Sequence, residues 1–125
     1  MDEEQLRATI AEGLELIKYS KRSLQEAPER TTQFLIIVAV LADAKRATEE
    51  DKAKLSTLSN ATYAQAMNRS TAKQVTEKKA EAESNEDYTN MREGLEQCES
   101  KISWLRTYID IFNNAHITYR QFSKE

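Results

Sequence analysis

Near the C-terminus, Tyr88, Met91, Leu95, Cys98, Ile102, Leu105, Ile109, Phe112, His116 and Tyr119 fall on an unbroken alternation of three and four residues. An apolar period of 3.5 is the seam of a long helix packed along other helices. A seam of this length is not satisfied by one short neighbour. The same stretch carries a second row: Trp104, Tyr108, Ile111, Ala115 and, past Thr118, Phe122. A helix with one apolar face needs one partner layer, and a helix with two needs more than one. The expected fold class is therefore all-α, with long amphipathic helices in an elongated helical bundle or coiled coil that oligomerises. The second row is its expected oligomer or partner interface.

Composition agrees. Two Gly and one Pro among 125 residues leave few turns, and Ala, Glu, Lys, Leu and Arg are abundant. This length suits a single helical domain over residues 1–125. The acidic start, Met1-Asp2-Glu3-Glu4, lacks the basic-then-apolar pattern of a signal peptide. The longest apolar run, Phe34 to Leu41, has eight residues. As helix it would span about 12 Å, against the ~30 Å hydrocarbon core of a membrane. One cysteine cannot form an internal disulfide, and Cys98 sits on the seam. A cytoplasmic protein without a membrane partner is expected.

Four helices are predicted, over about 2–25, 31–67, 71–83 and 85–121. On the first, Leu6, Ile10, Leu14, Ile17 and Leu24 line one face, with Lys21 in the remaining slot. Pro28 should end it, because the residue before proline avoids the α region. The second should start at Thr31 or Thr32 and follow Phe34, Ile37, Leu41, Ala44, Thr48, Asp51, Leu55, Leu58 and Thr62. Its Phe34–Leu41 run is apolar on all sides, which places it deep in a bundle or an oligomer centre. Thr48 and Asp51 are polar in that seam and mark a bend, a wet spot or the end of packing. Residues 67–84 are polar, with Val75 the only large aliphatic. A capping box of Thr71 with Gln74 would open a third helix that has no face to bury. Ser84, with Asp87 three residues on, would cap the last helix, roughly 55 Å long at 1.5 Å per residue. Gly94 beside the seam costs about 1 kcal/mol of helix propensity, which a close helix approach there would offset.

Residues able to do chemistry are sparse. His116 is the only histidine. It has no acid or second histidine one turn away on its face, so it is expected to set register in the seam rather than to act as a base or metal ligand. Glu96 and Glu99 flank Cys98 and disfavour a reactive thiolate. There is no glycine-rich phosphate loop and no Ser/His/Asp or Cys/His set. Glu81, Glu83, Glu86 and Glu93 lie on polar faces beside lysines, as solvated surface does. No catalytic residue, metal or cofactor is expected, and the chain is not read as an enzyme.

Net charge is −3, so no global basic character draws the chain to nucleic acid. Its distribution is uneven. Residues 68–80 set Arg69, Lys73, Lys78 and Lys79 against Glu77, a local +3, while 81–100 set seven acids against Arg92, a local −6. Lys18, Lys21 and Arg22 form one further basic group, and Lys45, Arg46, Lys52 and Lys54 another, diluted by acids. The cleanest group is Arg69, Lys73, Lys78 and Lys79. Repeated around an oligomer it would become a basic ring, and phosphate affinity scales with the charges engaged.

The C-terminal half resembles the phage recombination mediators of the UvsY-like family over roughly residues 55–122. Lys78-Lys79-Ala80-Glu81-Ala82-Glu83-Ser84-Asn85-Glu86-Asp87-Tyr88 is similar to that family's lysine-then-acidic lead into its last helix. Ile102-Ser103-Trp104-Leu105-Arg106 and Ile109-Asp110-Ile111-Phe112 resemble its aromatic and aliphatic heptads, and His116-Ile117-Thr118-Tyr119-Arg120-Gln121-Phe122 its basic-aromatic ending. The resemblance implies a helical homo-oligomer that binds single-stranded DNA and helps a recombinase load against single-strand-binding protein. Arg69, Lys73, Lys78 and Lys79, with Lys45, Arg46, Lys52 and Lys54, are the candidate DNA-binding residues. The alternative is a protein–protein interaction module, a phage-type inhibitor or coiled-coil adaptor, acting through the aromatic C-terminal helix.

Overall fold

The computed structural model describes residues 2–19 and 27–124, without the side chains of Tyr19, Ala27 and residues 122–124. The described residues are all-α: α1 (Glu3–Tyr19), α2 (Ala27–Arg69), α3 (Val75–Glu83) and α4 (Glu86–Lys124), with no strand among them. The expected extension of the first helix to Gln25, with Lys21 and Leu24 on its face, lies outside the described residues. A reciprocal capping box opens α1. The Gln5 amide N–H donates to Asp2 Oδ1 at 2.7 Å, and the Asp2 N–H donates to Gln5 Oε1 at 3.0 Å. Each side chain satisfies an amide that has no acceptor within the helix.

The second helix departs from expectation at its start. It begins at Ala27, not Thr31 or Thr32, and carries Pro28 in its first turn. A first-turn amide has no intrahelical acceptor, so proline forfeits no bond there, and its fixed φ suits the helix.

The chain divides into two compact units, Met1–Arg46 with Ser103–Glu125 and Ala47–Ile102. Both α2 and α4 contribute to each. In the first unit, α1 and the opening of α2 pack on the end of α4. Leu6, Phe34, Leu41, Leu105 and Phe112 are fully buried, and Ile10, Ile37 and Tyr119 nearly so. Burying one such side chain is worth roughly 1.5–3 kcal/mol. The rings form a connected series. Trp104 meets Tyr108 edge-on at 6.2 Å, Tyr108 meets Phe112 at 6.2 Å, Phe112 meets Phe34 at 6.4 Å and Phe34 meets Tyr119 at 5.4 Å. His116 Nδ1 lies 3.2 Å from the Thr31 carbonyl oxygen. That oxygen only accepts, so this contact is a hydrogen bond when Nδ1 carries a proton, and through it the seam histidine ties α4 to α2.

On α1 the buried face is not the expected one. Leu6 and Ile10 are in the core, but Leu14 is 40% and Ile17 38% exposed. Gly13 takes the inner position, with Leu16 packed against the core. A Cβ on Gly13 would lie 2.5 Å from Phe112 Cε1. The missing side chain lets α1 come down onto that ring, and this turns Leu14 and Ile17 to the rim.

The Phe34–Leu41 run also differs from expectation. Phe34, Ile37 and Leu41 are buried and Val38 packs on the core, yet Leu35 is 53% and Ile36 58% exposed. Within one chain, α1 and α4 cover only one side of this helix.

In the second unit, α2 and α4 run antiparallel: Lys52 Nζ meets Glu99 Oε1 at 3.3 Å, Leu55 faces Gly94, and the tilted rings of Tyr63 and Tyr88 have centres 5.1 Å apart. Leu55 Cδ2 would be 2.7 Å from a Cβ on Gly94, so the expected close approach at this glycine is present. The inner row of α2 is Thr48, Lys52, Leu55, Ser59 and Thr62; Ser59 is 3% exposed, whereas Asp51 and Leu58, expected in the seam, are exposed. The shift keeps the acid in water and lets small Ser59 face inward. All ten seam residues of α4 are buried or half-buried. α3, expected to bury nothing, buries Ala82 completely and leaves Val75 61% exposed.

Candidate nucleic-acid interface

Local hydrogen bonding shapes the corner where α2, α3 and α4 meet in the second unit. The Ala72 N–H donates to Ser70 Oγ at 3.2 Å, and the Ser70 hydroxyl donates to the Glu81 carboxylate. Ser70 thus takes over the turn that a Thr71–Gln74 capping box would have needed. The third helix begins at Val75 behind Gln74, which is extended (φ −99°, ψ 142°) and makes no side-chain cap. Ser84 closes α3 rather than opening α4: its N–H donates to the Ala80 carbonyl at 3.1 Å. Asn85 is the true cap of α4, its Oδ1 accepting the Tyr88 N–H at 3.0 Å. Ser84 and Asn85 both suit caps by type, and only the placed chain separates them.

These turns carry the four candidate cations. Arg69 ends α2, Lys73 lies in the connection, and Lys78 and Lys79 sit on the first turns of α3. Arg69, Lys73 and Lys79 are exposed and Lys78 is half-buried. None of the four forms an ion pair among the described residues. The other candidate group differs. Arg46 pairs with Asp43 at 3.0 Å, Lys52 pairs with Glu99 at 3.3 Å, Lys45 is half-buried and already engaged, and Lys54 is exposed. Lys45 and Arg46 belong to the first unit, Lys52 and Lys54 to the second. Lys18 is exposed and engaged, and Lys21 and Arg22 lie outside the described residues.

A cavity of about 310 Å³ opens at the same corner. α2 lines it with Thr62, Gln65, Ala66 and Arg69. Ser70 and Glu81 form another part of its wall, and Asn85 at the cap of α4 completes it with Asp87 and Met91 on that helix. The Thr62 hydroxyl reaches Met91 Sδ at 3.5 Å, which places the thioether against α2. Gln65 and Asn85 do not stand out in the sequence, and Asp87 does so only as a cap partner of Ser84, because nothing in their spacing shows that two chain turns bring them together. Beside them, Tyr63 and Tyr88 are half-buried, with the Arg92 guanidinium 5.8 Å from the Tyr88 ring centre.

The expected interface row on α4 is mostly used inside the chain. Trp104, Tyr108 and Ala115 pack against the core of the first unit. The Arg7 guanidinium lies 5.2 Å from the Trp104 ring centre. Ile111 remains 37% exposed, and the Phe122 side chain lies outside the described residues. The two apolar rows are thus largely accommodated because α1 and α2 supply two separate partners. Leu35 and Ile36 on α2 are the more exposed apolar pair.

No group of three or more metal-ligating side chains gathers among the described residues. No described helix is long and apolar enough to cross a membrane. Comparison with protein-family models, curated proteins and solved structures finds no match to this chain.

Proposed function

We propose that this chain is a non-enzymatic, cytoplasmic protein that assembles into a homo-oligomer and binds single-stranded DNA, assisting recombinase loading in competition with single-strand-binding protein. The observation that carries the proposal is the corner set of Arg69, Lys73, Lys78 and Lys79, four cations without an ion-pair partner among the described residues. Cations that are not already paired are available to replace counterions along a phosphate backbone. Arg46 and Lys52, each held by an acid, offer less. Copies of the chain would multiply this corner and raise affinity with the number of phosphates engaged. Assembly is supported by Leu35 and Ile36, adjacent large apolar residues that are more than half exposed on the side of α2 its own chain leaves uncovered.

The exposed pair also favours a second reading, a helical protein-interaction module. Its contact surface would be Leu35 and Ile36 rather than Trp104 and Tyr108, which the chain's own core occupies. Light scattering with and without a single-stranded oligonucleotide separates the two. The proposal expects a multiple of the monomer mass that rises further with DNA. An assembled protein whose mass ignores DNA supports the interaction module, and a monomer under both conditions overturns the homo-oligomer.

A further inference from the structure

The cavity beside the four cations has its own chemistry. Several of its polar side chains already have work. Glu81 accepts from Ser70, and Asn85 caps α4. The side chains of Gln65, Arg69 and Asp87 line the same space, are exposed, and have no hydrogen-bond or ion-pair partner among the described residues. A carboxylate that only accepts therefore faces the same volume as a guanidinium that only donates and an amide that does both. With Glu81 and Asp87 against Arg69, the wall carries two acids and one cation, so the cavity is a poor seat for phosphate. A neutral, donor-rich group fits better. At about 310 Å³ it lies at the small end of ligand pockets, the scale of one base rather than two.

We propose that this cavity holds one guanine base of a bound single strand, with Asp87 reading its Watson–Crick edge. The proposal rests on the reading that the chain binds single-stranded DNA. Guanine alone among the four DNA bases presents two adjacent donors on that edge, N1–H and the N2 amino group, which match the two oxygens of one carboxylate. Its O6 accepts, and the Gln65 amide supplies the donor, which leaves Arg69 at the rim for a phosphate. Cytosine and adenine set a ring nitrogen acceptor beside their single amino group. Thymine sets a carbonyl on each side of its one N–H. Each of these would turn a lone pair toward Asp87. Ala66 and the Met91 thioether provide the apolar lining, and sulfur makes favourable contacts with aromatic rings. The backbone on either side of the held base would run past Lys73, Lys78 and Lys79. Affinity would then come from phosphates and a modest base preference from the pocket.

The test uses the full chain and a fluorescent oligo-dT carrying one central dG, dA, dC or dT, read by anisotropy. A single substitution avoids guanine self-structure. The dG strand is expected to bind about five- to tenfold tighter than all-dT, within the range a bidentate base contact supplies. Asp87→Asn keeps the size of the side chain but loses the two-acceptor fork. It should erase the dG preference without weakening all-dT binding, because thymine gains nothing from Asp87 and the lost negative charge only favours phosphate. Gln65→Ala should reduce the preference in part. Equal affinity for the four strands overturns the pocket and leaves DNA binding standing. A dG preference that survives Asp87→Asn overturns the assignment of this cavity. Failure to bind any strand overturns DNA binding itself and the pocket with it.

Discussion

At the residue scale the two glycines make opposite demands. A Cβ on Gly13 would collide with the fully buried Phe112 ring at 2.5 and 2.6 Å, and that ring has no space to retreat into. Gly13→Ala should therefore lower stability by about 1–3 kcal/mol, despite the better helix propensity of alanine. A Cβ on Gly94 meets only Leu55 Cδ2 at 2.7 Å, the far end of a half-buried and flexible side chain. There the roughly 1 kcal/mol gained in propensity offsets the displacement, and Gly94→Ala should be close to neutral. Urea midpoints of the two variants check this, and equal losses would mean that Phe112 is as free to move as Leu55. Gly94 is legible in the sequence because it interrupts a strong apolar seam. Gly13 is not, because its reason is a ring supplied by the far end of the chain.

At the scale of elements, α2 carries the sharpest contrast. Val38 packs on the core while Ile36 is 58% exposed. Val38→Glu places an unpaired acid against apolar side chains and should abolish soluble folding, since such a charge costs several kcal/mol. Ile36→Glu should retain wild-type circular dichroism and weaken self-association. Helical content equal in the two variants would show that Val38 is not part of the core. Removal of the Asn85 cap by Asn85→Ala should cost about 0.5–2 kcal/mol, whereas Ser84→Ala should cost less, because Ser84 leaves the α4 amides untouched. Thermal melting of the pair checks the assignment. The seam of α4 can be read from the sequence over its whole length, since large apolar residues repeat without a gap. The phase of α2 after Thr48 cannot. Leu58 is apolar and Ser59 polar, yet Leu58 is 55% exposed and Ser59 faces inward, where its small side chain permits close helix packing. Pro28 misleads for a related reason: proline ends a helix from within but also starts one, and the sequence alone does not say which.

At the scale of the whole molecule, the net charge of −3 conceals a local +3 over residues 68–80, and the proposed DNA binding rests on that local charge. The all-α class follows from periodicity and the scarcity of glycine and proline. The polar corner does not, because Arg69, Gln65 and Asp87 come together through two turns set by Ser70 and Asn85, whose bonds no spacing rule announces. The central claim is that the four corner cations hold single-stranded DNA by its phosphates. Binding of a fluorescent oligo-dT across a salt series, by wild type and by Arg69→Ala/Lys73→Ala/Lys78→Ala/Lys79→Ala, tests it most directly. The account predicts steep weakening of the wild type with salt. The quadruple variant should show lower affinity, a slope flatter by about one unit for each phosphate no longer engaged, and unchanged oligomer mass. No binding by the assembled wild type near physiological salt would contradict DNA binding, and binding that survives the quadruple change would move the site to Lys45, Arg46, Lys52 and Lys54.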